Sequence, residues 1–385
     1  MTDWPKGTLP EWPKGTLRDV AAPKGLVGGP FGSSLGGKDY VGDGVPVIRG
    51  GNLSTRSTFD ASAFVYVTAE KAASLAHNQA RPGDVVFTQR GTLGQVGIVP
   101  AGHDRYLISQ SQMRLRVDPA KADPRFVYHQ FRSPAMVDAI RTSAITTGVP
   151  HINLGILASL PIVIPPLAAQ TAIADVLSAL DDKIAGNEQA ARIAGDLAAA
   201  EFDRVSAGHE RTCALGDVID LVYGKALPAA RRRPGDVPVY GSGGVSGSHD
   251  RPLVEGPGVI VGRKGTVGSV HWSPIGFYPI DTTYYVRLKD PNLGFPYAYF
   301  LLSSLKLSRM NQDSAVPGLN RGHALAVRVR LPAAEAIAGF TERVRSLFAL
   351  RDHLAEENDA LSALRDYLLP RLLSGALRPV PENRF

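Results

Sequence analysis

GVIVGRKGTVGSVHW, residues 258–272, runs from an apolar β-branched segment through an Arg-Lys pair into Gly-Thr-Val-Gly. A nucleotide-phosphate loop would need G-x-x-x-x-G-K-[ST] with a helix opening at the lysine, its free N–H groups facing the phosphate. Here Arg263-Lys264 comes before Gly265-Thr266, and the continuation alternates β-branched and small residues. That is the pattern of strand, tight glycine turn, strand. An NTPase reading is thereby set aside.

The segment is one of a pair. GDVVFTQRGTLGQVGIV at 83–99 carries Gly91-Thr92-Leu93-Gly94 where the later stretch carries Gly265-Thr266-Val267-Gly268. LRDVA at 17 answers LGDVI at 215, and VPVIRGGN at 45 answers VPVYGSGG at 237. Tyr128 and Ser133 answer Tyr299 and Ser304, and GVPHIN at 148–153 answers AVPGLN at 315–320. The separations shrink in order from 198 to 167 residues, as a duplicated domain gives after deletions in its second copy. A short period would mean a solenoid, whereas one near half the chain means two similar globular domains.

Each copy runs into a long helical pattern. After PPLAAQ the first places Ile173, Leu177, Leu180 and Ile184, then Ala191, Ala194 and Leu197, at intervals of three and four. The second places Ile337, Phe340, Val344, Leu347, Leu354, Leu361, Leu368 and Leu372 on one stripe, with Leu347, Leu354, Leu361 and Leu368 seven apart. Roughly 38 helical residues would span about 57 Å. Heptad spacing favours a helix–helix seam over a helix lying on its own domain. An antiparallel pair would hold the two domains at opposite ends of a rod. Asn187 and Asn358 fall either in that seam, where they would fix register, or on its exposed flank.

The 385 residues fit two or three domains, and 44% hydrophobic residues suffice for cores. A net charge of +6 and a pI near 9.4 lean toward an anionic partner, nucleic acid first among them. The single cysteine, Cys213, excludes a disulfide framework and a thiolate metal cluster. No apolar run reaches 18 residues and the N-terminus lacks a signal pattern, so the expected location is the cytoplasm, off the membrane. PKGTL occurs at 5–9 and again at 13–17, and the first copy reads as a dispensable extension.

These features together resemble the specificity (S) subunit of type I restriction-modification systems over nearly the whole chain. The likeness rests on LPEW…LRDV (9–20), the two glycine hairpins, PHINLGILASLPIVIPP (150–166), LDDKI (180–184), PIDTTYYV (279–286) and LRDYLLPRLLSGALR (364–378). The resemblance implies an α/β (α+β) fold with two similar target recognition domains separated by two long antiparallel spacer helices in a coiled coil. The expected boundaries are 9–166 for the first domain, 167–206 for its helix, 207–332 for the second domain and 333–378 for the distal helix. It implies a prokaryotic, non-catalytic reader of a bipartite double-stranded DNA target in phage defence, docking two methyltransferase subunits and, through them, restriction/translocase subunits. S-adenosylmethionine and ATP-Mg²⁺ would be bound by those partners, and no cofactor by this chain.

The chemistry of the residues agrees with a reader. Ile164-Pro165-Pro166-Leu167 has an aliphatic residue where the base-holding loop of an adenine methyltransferase needs an aromatic. His209-Glu210 lacks the second histidine of H-E-x-x-H, and the nine histidines show no ligand spacing. No catalytic or metal site is expected. DNA reading needs cations for phosphates and polar side chains for base edges. The first copy offers Lys38, Arg49, Asn52, Arg56, Gln89, Arg90, Gln110 and Gln112, and the second Tyr240, Ser242, His249, Arg251, Arg263, Lys264, Thr282 and Thr283. Arg231-Arg232-Arg233 reads equally as a phosphate-binding run or a charged loop. The expected partner-helix seam comprises Ile173, Leu177, Leu180 and Ile184 with Leu347, Leu354, Leu361 and Leu368. Two alternatives stand beside the reader: a helical scaffold with two non-DNA ligand-binding domains, and a detached recognition region of a fused restriction-methylation enzyme.

Overall fold

A computed structural model of the chain describes residues 12–53, 59–61, 64–310 and 318–379. The candidate Arg56 and the first PKGTL copy lie outside the described residues. The chain divides into two compact units, one of residues 1–187 with 357–385 and the other of residues 188–356.

In the first unit the strands are β1 (Lys14–Thr16), β2 (Ala21–Gly28), β3 (Val45–Ile48), β4 (Val65–Val67), β5 (Gln79–Ala80), β6 (Val85–Thr88), β7 (Val96–Ile98), β8 (Tyr106–Ile108), β9 (Gln112–Val117) and β10 (Pro161–Val163). Its short helices are α1 (Ala69–Ser74), α2 (Pro124–Arg132), α3 (Pro134–Thr142) and α4 (Leu154–Ser159). One sheet runs β2-β9-β6-β7, a second β4-β3-β8-β5, and β1 pairs with β10. The runs VVFT of β6 and VPVI of β3 are buried along their whole length, which explains why they lack an apolar–polar alternation. Val85, Phe87 and Leu115 pack under α2, where Phe87 meets Phe131 edge-on with ring centroids 4.9 Å apart. A 40-residue helix, α5 (Leu167–Ser206), follows and contributes its first half to this unit.

The second unit rebuilds the same frame. Its elements are β11 (His209–Ala214), α6 (Leu215–Val218), β12 (Ile219–Tyr223), β13 (Val237–Gly241), β14 (Gly244–His249), β15 (Gly258–Gly262), β16 (Val270–Ser273), β17 (Tyr278–Pro279), β18 (Thr283–Leu288), α7 (Phe295–Ser304), α8 (Arg321–Ala326), β19 (Arg328–Pro332) and the first part of the 40-residue α9 (Ala334–Leu373), whose residues from 357 on belong to the first unit. The order β12-β18-β15-β16 repeats β2-β9-β6-β7, and the parallel pair β13–β17 repeats β3–β8. The paired motifs mark structural joints. Asp19 of LRDV and Asp217 of LGDV each accept the backbone N–H three residues earlier, at 2.7 and 2.8 Å. Asn153 and Asn320 cap α4 and α8 by accepting the N–H of Ile156 at 2.8 Å and of His323 at 3.0 Å.

Within each unit the segments of α5 and α9 run antiparallel, since partner numbers fall on one as they rise on the other. In the first unit Asp181 meets Arg365 and Asn187 meets Asn358. In the second, Phe202 meets Phe340 with centroids 6.1 Å apart, and Glu201 pairs with Arg343. Ile173, Leu177, Ile184 and Leu354 are buried, whereas Leu180, Leu347, Leu361 and Leu368 are half-buried. The intervening heptad positions explain the difference. Asn358 and Arg365 each sit four residues after a half-buried or buried leucine of the stripe, so the seam carries polar layers between its apolar ones. Asn187 is buried and donates to Asn358 Oδ1 at 2.9 Å and Glu357 Oε2 at 2.7 Å. The question of seam or flank is thus answered for Asn187 by burial, at the cost of an apolar layer.

Candidate nucleic-acid interface

The two glycine hairpins are built by the same backbone bonds. In the first unit Gly91 and Gly94 adopt φ +102° and +91°, and Leu93 N–H donates to Gly91 O at 2.9 Å. In the second, Gly265 and Gly268 adopt φ +79° and +74°, and Val267 N–H donates to Gly265 O at 2.9 Å. Positive φ favours glycine at all four positions. Space adds a second demand at Gly268, where a Cβ would lie 2.3 Å from the backbone nitrogen of Ser308.

Each hairpin is then clamped from two sides. Gln89 N–H donates to Ser111 O at 2.7 Å, while Gln89 O accepts from Ile152 N–H at 3.0 Å. Correspondingly, Arg263 and Lys264 N–H donate to Thr282 O at 2.9 and 3.1 Å, while Arg263 O accepts from Leu319 N–H at 2.8 Å. Isolated bridges complete the match, Arg90 with His151 and Lys264 with Gly318. By these bonds Gln89-Arg90 occupies the place of Arg263-Lys264, and Gln110-Ser111-Gln112 the place of Asp281-Thr282-Thr283. The frame is common to both copies and the side chains differ.

Arg90 and Lys264 are exposed at the turns, as are Lys38 and Arg251 elsewhere, while Gln89 is half-buried. Arg263 is half-buried and held: Nη1 donates to Asp281 O at 2.9 Å and its guanidinium lies 5.0 Å from the Tyr223 ring centroid. Under it the Tyr284 hydroxyl donates to Leu319 O at 3.0 Å, and burial, with Tyr223 alongside, pushes its pKa up to about 12, so it stays neutral. Arg49 is half-buried with its guanidinium 5.9 Å from the Tyr40 ring centroid. Gln89, Arg90 and Gln110 line one groove of about 550 Å³ with Phe31 and Asn153.

Five candidates are buried, with polar atoms engaged inside the fold. Asn52 is fully buried, accepting from Arg49 N–H at 2.8 Å and donating to Asp60 O at 2.8 Å. Gln112 is fully buried and accepts from Ser109 Oγ. Thr283 is fully buried and its hydroxyl donates to Ile280 O at 2.8 Å. Tyr240, buried, donates to Trp272 O at 3.2 Å. His249, buried, accepts Arg233 N–H at 3.1 Å and meets Tyr278 edge-on. Three more are partly committed. Ser242 Oγ accepts Thr266 N–H at 3.3 Å, Thr282 gives its carbonyl to the hairpin, and Gln110 Nε2 donates to Leu35 O. The arginine run is also dispersed, with Arg232 Nη1 on Ser246 O at 2.6 Å and Arg233 on Asp250 at 2.9 Å. Polar side chains next to turns can hydrogen-bond buried groups of the fold in place of facing solvent.

Outside the polar candidates, Phe31 in the same groove lining is 92% exposed. Its signal was only an aromatic within GGPFGSS.

The fold and site define an internally duplicated α+β protein that presents different side chains on one repeated hairpin. Among the described residues no three metal-ligating side chains come together, and no helix is long and apolar enough to cross a membrane. The type I restriction modification DNA specificity domain matches residues 12–192 and 211–348, and the chain belongs to that family. As a type I specificity subunit it is a non-catalytic component. The S subunit of the type I restriction-modification system of M. genitalium is 19% identical with a TM-score of 0.64, over 96% of this chain and 98% of that one. The HsdS subunit of Thermoanaerobacter tengcongensis is 18% identical with a TM-score of 0.37, over 98% of this chain and 100% of that one. Comparison with curated proteins gives no match.

Proposed function

We propose that the chain reads a bipartite duplex target, one half-site through the hairpin surface of each unit. The observation that carries this reading is the corresponding backbone clamp that offers Gln89-Arg90 in one copy and Arg263-Lys264 in the other. Glutamine pairs with adenine and arginine with guanine through two hydrogen bonds each, so different pairs on one frame suit different half-sites. Lys38, Arg251 and Lys264, all exposed, are the phosphate candidates, and half-buried Arg49 is a further one. Domain one is taken as 9–166 and domain two as 207–332. Helices at 167–206 and 333–378 act as the spacer and as the docking surface for methyltransferase subunits, two in the family's arrangement. S-adenosylmethionine binds on those subunits, and ATP-Mg²⁺ on a restriction/translocase subunit reached through them, all in the cytoplasm.

Family membership across both copies supports this reading over a scaffold for other ligands. The test is methylome sequencing with and without the gene, which should reveal a split motif that disappears on deletion. A continuous motif, or none, defeats the reading. In parallel, Arg263→Ala with Lys264→Ala should weaken duplex binding by the full chain and flatten its salt dependence by roughly one unit of slope for each phosphate no longer neutralised. Unchanged affinity would remove the pair from the site.

A further inference from the structure

Phe31 stands out because everything around it is fixed. Gly29 passes so close to Ser109 that a Cβ would lie 2.0 Å from its carbonyl oxygen, and Gly29 N–H donates to Gln112 O at 2.8 Å. Pro30 is buried, and beyond the aromatic Ser34 N–H returns to Phe31 O at 3.0 Å. Leu35, 1% exposed, plugs the far end, and Gln110 Nε2 donates to its carbonyl. Gly32, Ser33 and Ser34 are exposed with it, and Phe31 is the one large apolar side chain of the loop that faces solvent.

A braced loop that holds a phenyl ring 92% in water forgoes burial that a disorderly loop could recover. The ring borders the groove shared with Gln89, Arg90 and Gln110. The second unit supplies a contrast. Gly224 N–H donates to Thr283 O at 3.1 Å, so Gly224 takes the place of Gly29, and Lys225-Ala226 the place of Pro30-Phe31. The exposed aromatic of that unit is Tyr223, one position before the glycine and already covered by Arg263.

We propose that Phe31 is a specificity-determining DNA contact of the first half-site, placing its ring against an apolar base surface beside the bases met by Gln89 and Arg90. That surface is either the methyl group of a thymine or the face of a base at an opened step. The inference rests on the DNA reading above and deepens it for one unit.

The experiment measures affinity of the full chain for its methylome-defined duplex across a salt series, for wild type, Phe31→Ala and Phe31→Tyr. Phe31→Ala should weaken cognate binding by roughly ten- to a hundredfold, the range of an aromatic–base contact, with the salt slope unchanged. Phe31→Tyr should restore most of it. Randomising the first half-site should erase the difference between wild type and Phe31→Ala, whereas randomising the second should leave it. Uracil in place of each thymine separates the two surfaces. A single sensitive position, absent in Phe31→Ala, marks the methyl, and no sensitive position marks the base face. Phe31→Ala within twofold of wild type overturns the proposal and leaves the ring to a protein partner. Wild type that binds its duplex without salt dependence overturns the DNA reading itself.

Discussion

Removing the Asp181 carboxylate tests how the helix seam of the first unit is held. Asp181 is 4% exposed and accepts from Arg132 Nη1 at 2.7 Å and Arg365 Nη1 at 2.8 Å. Asp181→Ala leaves two buried guanidiniums without their shared counter-charge. Losing one partner of a buried ion pair costs about 3–5 kcal/mol. Both arginines keep a second bond, Arg132 to the Tyr128 hydroxyl at 2.8 Å and Arg365 to the exposed Asp366 at 3.1 Å. The expected loss is therefore at the lower end, about 3 kcal/mol, or roughly a hundredfold in the local opening equilibrium. Because a chain of two units need not unfold in one step, the assay is amide hydrogen exchange resolved by segment. Protection should fall by about that factor over residues 357–373 and much less over 334–350. The compensated triple change Asp181→Leu, Arg132→Met, Arg365→Met should recover most of it. Unchanged protection over 357–373, or an equal fall over 334–350, would refute this account of the seam.

Three further outcomes follow from particular residues. Gly268→Ala, at φ +74° and with its Cβ 2.3 Å from Ser308 N, should destabilise the second unit by about 1–3 kcal/mol in denaturant titration and weaken binding to the second half-site. Deleting one heptad from each long helix, in register, should change the preferred spacer of the methylated motif, read by methylome sequencing; an unchanged spacer contradicts the spacer role. His129 lies buried with Nε2 3.1 Å from Ser178 Oγ, and burial, then Arg132, Arg365 and Arg125, depress its pKa to about 3. The unfolded imidazole takes a proton below about pH 6.5 while the folded one resists, so stability present above 6.5 drains as pH falls toward 3. At pH 5 the loss is on the order of 2 kcal/mol, and His129→Asn should remove it from the difference between melts at pH 7 and pH 5.

The duplication was legible because it is written in backbone-determining residues. Gly91, Gly94, Gly265 and Gly268 serve φ, Asp19 and Asp217 serve caps, and Asn153 and Asn320 open helices, so the copies kept them while other positions changed. The seam was legible only in its leucines. Arg365 and Asp181 look like surface charges on a helix and are buried because each neutralises the other. The repeated hairpins were legible as a shared frame, and the exposure of individual side chains on them was not. Sequence polarity cannot separate Lys264, which faces solvent, from Thr283, whose hydroxyl donates to a backbone carbonyl, or His249, held between the Arg233 N–H and the Asp250 carboxylate. Nor does it announce an exposed phenylalanine, since aromatic residues are mostly core.

The bond between Asp181 and Arg365 spans 184 positions along the chain. At synthesis rates of about 5–20 residues per second, the first recognition unit waits on the order of ten seconds or more for the helical segment that closes it. Ile173 and Leu177, which pack with Leu369 and Leu372, have no such cover in the interval. A nascent chain therefore holds its first unit unfinished while the second is being made, an opening during which a chaperone can bind that stripe. A chain truncated before 357 would leave Ile173 and Leu177 without Leu369 and Leu372.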